Sequence, residues 1–281
     1  MSTVELSPTT GVPRLSDAEH EQLQVTQTRV VKSEVLKIRT LRSSYYTMGI
    51  TIAAMALIGV IICWSTANDW QHMRLHRQER FNPLDDSLAG FQLAQLAIGV
   101  FGVLLTASEY STGMIRSTMA AVPKRLPVLW AKVGVAATIA FVTMLPSALF
   151  AFFVSQRFLA RWHIQATWSM PGVPRTVIGV ALYLTVVVVI GVGLGSILRN
   201  VAGAIATLVG VLLVLPVIAS ALPTTWADRI NKYLPSNAGQ ALLGMQTDST
   251  TLAPWTGFFV FVGYAVLTIA IAALLLKRKD A

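Results

Sequence analysis

The residues of this chain that are best suited to chemistry lie in a short polar strip, 108–127, which reads SEYSTGMIRSTMAAVPKRLP. The strip has an acid near its start, Glu109, a helix-compatible middle, and a basic pair at 124–125 between two prolines. Long uncharged segments flank it on both sides. A plain connector between two such segments needs neither this length nor this order of charges. We therefore predict that the strip contacts another molecule.

Other candidate chemistry is sparse. The sequence contains no GxxxxGK[ST] phosphate loop, no HExxH and no CxxC, so nucleotide binding by that loop is excluded. His72 and His76 are four residues apart, but no third ligand stands at useful spacing, and we interpret them as solvated surface. Cys63, the single cysteine, lies in an apolar segment and suits a small hydrophobic residue. We expect no catalytic residue, no metal site and no cofactor in this chain.

Glycines and glutamines inside the apolar segments have structural interpretations. Gly191, Gly193 and Gly195 form GxGxG, but no strand precedes them, so a dinucleotide site is disfavoured. Gly191 and Gly195 also form GxxxG, a spacing that lets two helices approach closely. Gln92 and Gln95 could contact a substrate, although hydrogen bonds between helices are the interpretation we favour.

Composition indicates the elements that must position the strip. Hydrophobic residues make up 54% of the 281 residues and charged residues 12%, about half the usual charged share. Six stretches of 22 or more residues carry no charge, and a helix of that length reaches roughly 33 Å, enough to cross a hydrocarbon layer of about 30 Å. We predict an all-α polytopic membrane protein with six transmembrane helices. The predicted spans are approximately 46–67, 88–108, 131–155, 176–198, 201–222 and 254–276.

Basic residues predict the sidedness of the spans. One set of loops holds thirteen lysines and arginines and the other holds eight. The positive-inside rule then puts both termini and the strip in the cytoplasm of a multi-pass protein. Because the basic residues flank the spans instead of forming one patch, a nucleic-acid partner is not expected. No span centre carries an ionisable residue, which disfavours a carrier driven by proton or ion coupling.

The N-terminal region changes character near residue 28. Residues 1–27 are rich in polar residues and predict a disordered cytoplasmic tail, whereas 28–281 form the transmembrane domain. From Thr28 onward, apolar residues recur at helical spacing, which favours an amphipathic helix in the lipid headgroup zone over a simple extension of span 1. Its apolar positions are Val31, Val35, Ile38 and Leu41. Its polar positions are Lys32, Glu34, Lys37 and Arg39.

The segment before span 6 contains an uncharged run, Tyr233–Thr247, that is too short to cross a membrane. It suits a short helix that begins near Ser236–Asn237 and either dips into the outer interface or re-enters the membrane. The alternative is a surface loop folded over the spans.

Four segments of the chain resemble the ABC-2 type permeases, which are the membrane subunits of bacterial ABC transporters whose ATPase is a separate polypeptide. They are VVKSEVLKIRTLRSSYYT (30–47), ASEYSTGMIRSTMAAVPKRLPVLWAK (107–132), ALYLTVVVVIGVGLGSILRNVAGAI (181–205) and YLPSNAGQAL (233–242). With the six-span plan they cover nearly everything after the tail. The second segment is the most specific.

The resemblance implies roles for three regions. A cytoplasmic coupling helix between spans 2 and 3 would dock on the ATPase, by position Glu109–Met119. The amphipathic helix, Val30–Arg42, would pack beside that contact, and Ser236–Met245 would form an outer gate. The residues expected to face the ATPase are Glu109, Tyr110, Arg116 and Thr118. Lys124 and Arg125 suit either this contact or anionic lipid.

The function implied by the resemblance is that of a permease subunit in the bacterial plasma membrane. It would form an export pathway with a second copy or a similar subunit, while ATP and magnesium would bind to the partner ATPase. The alternative is a membrane sensor or immunity subunit that transports nothing and uses the same ATPase contact for signalling. An intramembrane enzyme is disfavoured because the spans hold no paired acids or histidines.

Overall fold

A computed structural model of the chain describes residues 26–40, 42–115, 126–221, 223, 229–244 and 251–278. This part of the chain is helical and contains no β-strand. Six of its helical segments are long and apolar enough to cross a membrane, so the predicted all-α fold with six spans is confirmed. Residues 1–25 lie outside the described part, and the predicted tail therefore stays a prediction.

The helices are numbered in chain order. Four spans are single helices: span 1 is α2 (Arg42–Asp69), span 3 is α6 (Leu126–Leu159), span 4 is α7 (Val173–Leu198) and span 6 is α11 (Pro254–Arg278). Span 2 consists of α4 (Pro83–Leu88) and α5 (Phe91–Ser111). Span 5 consists of α8 (Val201–Val209), a π-turn (Gly210–Val214) and α9 (Leu215–Ser220). Three shorter helices are α1 (Gln27–Thr40), α3 (Leu75–Glu79) and α10 (Pro235–Gln240). Helix α1 lies at the end of the bundle where span 1 begins, which we call the α1 end.

Span 4 forms the centre of the bundle. In its most apolar window 72% of the residues are buried inside the protein, against 17% in span 5 and 28% in spans 1 and 6. It packs against spans 2, 3 and 6, whereas span 1 packs against spans 2 and 3. A helix that is apolar all round is typical of a core position. The weakly buried spans expose their apolar side chains at the surface of the bundle.

Glycines set the close approach of spans 2 and 4. A methyl group added at Gly191 would lie 2.5 Å from the carbonyl oxygen of Gly99, and one added at Gly195 would lie 2.9 Å from that of Val103. Because a side chain at either position would collide with the facing backbone, the two helices need glycine there. The close-packing interpretation of the GxxxG pattern is confirmed.

Spans 4 and 5 are joined by a tight turn at the α1 end. Arg199 has φ 53°, in the left-handed region, and its N–H donates to the carbonyl of Gly195 to cap span 4. The side chain of Asn200 accepts a 2.9 Å hydrogen bond from the N–H of Gly203 and so caps the start of span 5. These two residues are sufficient to reverse the chain between spans 4 and 5.

Span 2 continues further than the sequence predicts. Its helix runs through Ser111, and Gly113 then adopts φ 73°. Glu109 is therefore in the last turn of a span and does not begin a separate coupling helix. The remainder of the predicted coupling helix, from Arg116 to Met119, lies outside the described residues.

Candidate functional site: a buried ion-pair cluster at the α1 end

Four charged side chains meet where α1, span 2 and span 3 come together. The ammonium group of Lys132 lies 2.7 Å from Oε2 of Glu34 and 2.7 Å from Oε1 of Glu109. The ammonium group of Lys37 lies 2.7 Å from Oε1 of Glu34 and 3.0 Å from Oε1 of Glu109. Each lysine therefore bridges both acids. We call these four residues the charge cluster.

The donors of Lys132 are fully used. Besides the two carboxylates, its ammonium group donates to the carbonyl oxygen of Leu105 at 3.1 Å. A lysine ammonium has three protons to donate, and all three have acceptors here. This satisfaction matters because the side chain of Lys132 is only 4% exposed, and a buried charge without partners would be very costly.

The charges of the cluster balance. Two carboxylates face two ammonium groups, and Glu34, Glu109 and Lys132 are all buried. Lys37 is partly exposed. Burial by itself lowers the pKa of Lys37, but the hydrogen bonds and charges of Glu34 and then Glu109 outweigh it, and the net shift is upward. The pKa shift therefore favours the charged form of Lys37 that the ion pairs require.

One oxygen of the cluster has no donor. Among the described residues no hydrogen-bond partner reaches Oε2 of Glu109, although this atom is buried. The other oxygen of Glu109, Oε1, accepts from both lysines. Glu109 thus holds its two cations through a single atom, whereas Glu34 uses both of its oxygens.

Local sequence explains how each element presents its charge. Glu34 and Lys37 are three residues apart on α1, so they share one face of that helix. Glu109 is in the last turn of span 2, and Lys132 is near the start of span 3. Beside the cluster, Val30 of α1 packs on Val128 and Ala131 of span 3. This apolar contact excludes water from one side of the charges.

The amphipathic helix forms where the sequence predicts it, but its buried face differs. Val30 and Glu34 are buried on α1, whereas Val31 is exposed. Lys32 and Arg39 are exposed at the surface, as expected for a headgroup-facing side. Glu34 is buried because it pairs with Lys132, which lies 98 positions away in the chain. No periodicity within the helix could reveal that partner.

Two of the four residues predicted to face the ATPase, Glu109 and Tyr110, lie in the described part of the chain. Glu109 is buried and ion-paired within the chain, so it does not lie at the surface as expected of a docking residue. Tyr110 is partly exposed, and the guanidinium of Arg199 lies 5.0 Å from the centre of its ring, within the range of a cation–π contact. Arg116 and Thr118 lie outside the described residues.

Sequence reasoning missed Lys132 as a site residue. The only signal was its position, the last charge before the uncharged part of span 3. It also missed that Arg199 would lie over Tyr110, because these residues are distant in sequence and meet only through the packing of spans 2 and 4. Both contacts depend on tertiary structure.

The opposite end of the bundle is covered by α10. Pro235, Ser236, Ala238 and Gly239 are buried, so the helix packs into the bundle and does not lie as a loop on its surface. A methyl group added at Gly239 would lie 2.6 Å from the rings of both Phe261 in span 6 and Tyr183 in span 4. The short helix that the sequence predicts near Ser236–Asn237 is therefore present, and it begins at Pro235.

Polar contacts secure the helices beneath and after α10. The hydroxyl of Tyr183 donates to Oε1 of Gln95 at 2.6 Å and joins span 4 to span 2. The guanidinium of Arg175 donates to the carbonyl of Gly244 at 2.6 Å, and the hydroxyl of Thr176 donates to that of Leu243 at 3.0 Å. Gln95 therefore has the interhelical role favoured from the sequence.

Chemically, the charge cluster links three elements of the fold. Its charges are neutralised by one another and largely removed from water, and they join three elements that are remote in sequence. Removing one partner of such a buried network typically costs 3–5 kcal/mol, because a charge is left unpaired. The end of span 2, where the strip begins, is thus attached to α1 and span 3 by ion pairs.

Comparison with known proteins does not identify the chain. No protein-family model matches it, and no curated protein matches it.

Proposed function

We propose that this chain is the permease subunit of a bacterial ABC transporter, with both termini in the cytoplasm of a multi-pass plasma-membrane protein. It forms an export pathway with a second copy or a similar subunit, and a separate ATPase drives it. The observation that carries the proposal is the charge cluster, which fastens the start of the polar strip to two further elements.

The position of the cluster relative to the strip supports this function. Glu109, the second residue of the strip, precedes the end of span 2 by two residues, and the rest of the strip follows at once. A displacement that a partner applies to the strip reaches Glu109 at one end, and at the other end it reaches span 3, which begins at Leu126. Through Lys132 it passes to span 3, and through Lys37 it passes to α1. The three elements therefore move as one body unless several buried ion pairs are broken.

A partner is required because the chain carries no phosphate loop of its own. Binding of an ATPase at the strip can drive a change of access only if the contact differs in free energy between two states of the permease. A rigid attachment of the strip to spans 2 and 3 allows such a difference to act on the membrane domain. In this proposal, Tyr110, Arg116 and Thr118 face the ATPase, and Glu109 has an internal fastening role.

The first experiment tests for the partner. The tagged full-length chain is purified from membranes of its source in mild detergent, and we expect an ABC ATPase to co-purify. Arg116→Glu is expected to reduce the recovered ATPase at least tenfold while membrane insertion is unchanged. The matched control is Arg80→Glu, an exposed position at the opposite end of the bundle, which should leave recovery unchanged. Recovery of no ATPase with the wild-type chain would refute the proposal.

The second experiment separates transport from signalling. The complex is reconstituted in vesicles, and ATP hydrolysis is measured with and without a panel of apolar and amphipathic compounds. Stimulation of hydrolysis by a compound, together with its ATP-dependent movement across the membrane, is the expected result. An ATPase that binds the chain while no compound changes its hydrolysis or moves would instead favour the sensor or immunity subunit.

A further inference from the structure

A narrow apolar groove runs along the outside of the bundle, over span 4 and between spans 3 and 6. The residues that line it are Trp130, Val133, Thr185, Val186, Val189, Val262, Ala265, Val266, Ile269, Ala270 and Ala273. Two of these residues carry a side-chain polar group, the hydroxyl of Thr185, which donates to the carbonyl of Ala181 in its own helix, and the indole N–H of Trp130. Apart from the indole N–H of Trp130 at one end, the groove therefore offers hydrocarbon contact.

The dimensions of the groove fit one hydrocarbon chain. From Val262 to Ala273 span 6 rises by eleven residue steps, or about 17 Å, close to the roughly 15 Å thickness of one leaflet of the hydrocarbon core. The volume of the groove is about 360 Å³. The groove is therefore about as long as one leaflet is thick, as the binding of a single acyl chain requires.

One mouth of the groove is basic. The stripe that span 6 contributes recurs at helical spacing up to Ala273, and one turn further on the same face is Lys277, followed by Arg278. Both are exposed. On the facing wall Trp130 is 54% exposed, as tryptophans at a membrane interface commonly are. The apolar groove thus ends in two cations beside an interfacial ring at the α1 end.

We propose that this groove binds a single anionic phospholipid from the leaflet at the α1 end. One acyl chain lies between spans 3 and 6, and the phosphate contacts Lys277 and Arg278. Charge complementarity selects the headgroup, because a juxtamembrane basic residue is worth about 1 kcal/mol toward anionic lipid. The narrow apolar walls of the groove select the acyl chain of the lipid. This inference does not depend on an ATPase partner, so it can hold or fail independently of the proposed transport function.

Trp130 provides a direct probe of occupancy. The full-length chain in neutral phosphatidylcholine bicelles is titrated with phosphatidylglycerol brominated on its acyl chain, and in parallel with phosphatidylcholine brominated in the same way. Subtracting the fluorescence of Trp130→Phe isolates the quenching of Trp130. We expect half-maximal quenching at a mole fraction of the anionic lipid about fivefold lower, or more, than that of the neutral lipid.

Variants separate the two parts of the site. The double variant Lys277→Gln/Arg278→Gln should remove the fivefold preference, whereas Lys277→Arg should keep it. Ala270→Phe fills the groove and leaves both charges in place, and it should also remove the preference. Trp64, which is half-exposed on span 1 away from the groove, serves as the control and should be quenched equally by both lipids.

Three results would overturn the proposal. Equal quenching of Trp130 by the two lipids would indicate ordinary contact with the surrounding bilayer. Absence of quenching by either lipid would indicate that another protein surface covers the groove. A preference that survives Ala270→Phe would show that the charges attract lipid without the groove.

Discussion

Replacing Lys132 by methionine tests whether the charge cluster fastens the bundle. Methionine has a similar length and no charge, so it fills the space while leaving Glu34 and Glu109 with only Lys37 between them. Removal of one partner from a buried ion-pair network typically costs 3–5 kcal/mol. Because Lys132 is buried and bridges both acids at 2.7 Å, we expect Lys132→Met to lower the free energy of unfolding by an amount in this range.

A second substitution should recover part of that loss. In the double variant Glu34→Gln/Lys132→Met, Glu109 and Lys37 remain as a neutral pair, 3.0 Å apart in the wild-type protein. The balance of charge is restored, so the double variant should be more stable than the sum of the two single losses implies. Coupling between residues in one network commonly measures about 0.5–3 kcal/mol, and we expect a value in the upper half of that range.

The free energy of unfolding can be measured by titrating the protein in mild detergent with sodium dodecyl sulfate and following its circular dichroism. Lys32→Met is the matched control, because Lys32 is on the same helix as Glu34 but is exposed. It should change stability by no more than about 0.5 kcal/mol. Strict additivity of the two single variants, or a loss below about 1 kcal/mol for Lys132→Met, would refute the reasoning.

Three further predictions concern stability. Asn200→Ala should lower the free energy of unfolding by about 1 kcal/mol in the same titration, because span 5 loses its N-cap. Asn200→Asp should be nearly neutral, and equal losses for the two variants would exclude capping as the cause. Gly239→Ala should lower the free energy of unfolding by about 1–3 kcal/mol by overpacking two aromatic rings. Gly263→Ala should not lower it, because a methyl group added there meets no atom within 4 Å beyond its own helix backbone. The pKa of Lys37 is raised, so its stabilising contribution should persist at neutral pH and disappear only as the pH rises through that raised value. The stability difference between wild type and Lys37→Met should therefore narrow at strongly alkaline pH, and a difference independent of pH would contradict this.

The spans and their close contacts could be predicted from local sequence because each depends on residues near one another in the chain. Uninterrupted apolar stretches are sufficient to specify six helices in a membrane, and GxxxG specifies a surface that another helix can approach. The tight turn at Arg199 and Asn200 follows from the lack of any other residue to form it. These features need no knowledge of which helix packs against which.

The charge cluster could not be predicted in the same way. Its ion pairs between elements join residues 72, 98 and 23 positions apart, and the two longer separations contain whole spans. On α1 alone, Glu34 and Lys37 have the spacing of a solvated pair, whereas the expectation of a helix in the headgroup zone followed from the helical recurrence of its apolar residues. Their burial results from the approach of span 3 carrying Lys132, which no local pattern encodes.

The placement of Glu109 changes which residues can contact a partner. Because its carboxylate is buried against two lysines, Glu109 is not available to a partner in the proposed transporter, whereas Tyr110 is partly exposed. In the proposed transporter, the internal ion pairs and the surface that contacts the partner are then adjacent but separate. In the proposed transporter, variants of the cluster should lower both stability and transport, whereas Arg116→Glu should abolish coupling in a protein of wild-type stability. Loss of stability in Arg116→Glu comparable to that of Lys132→Met would show that the strip is part of the fastening and would leave no separate docking surface.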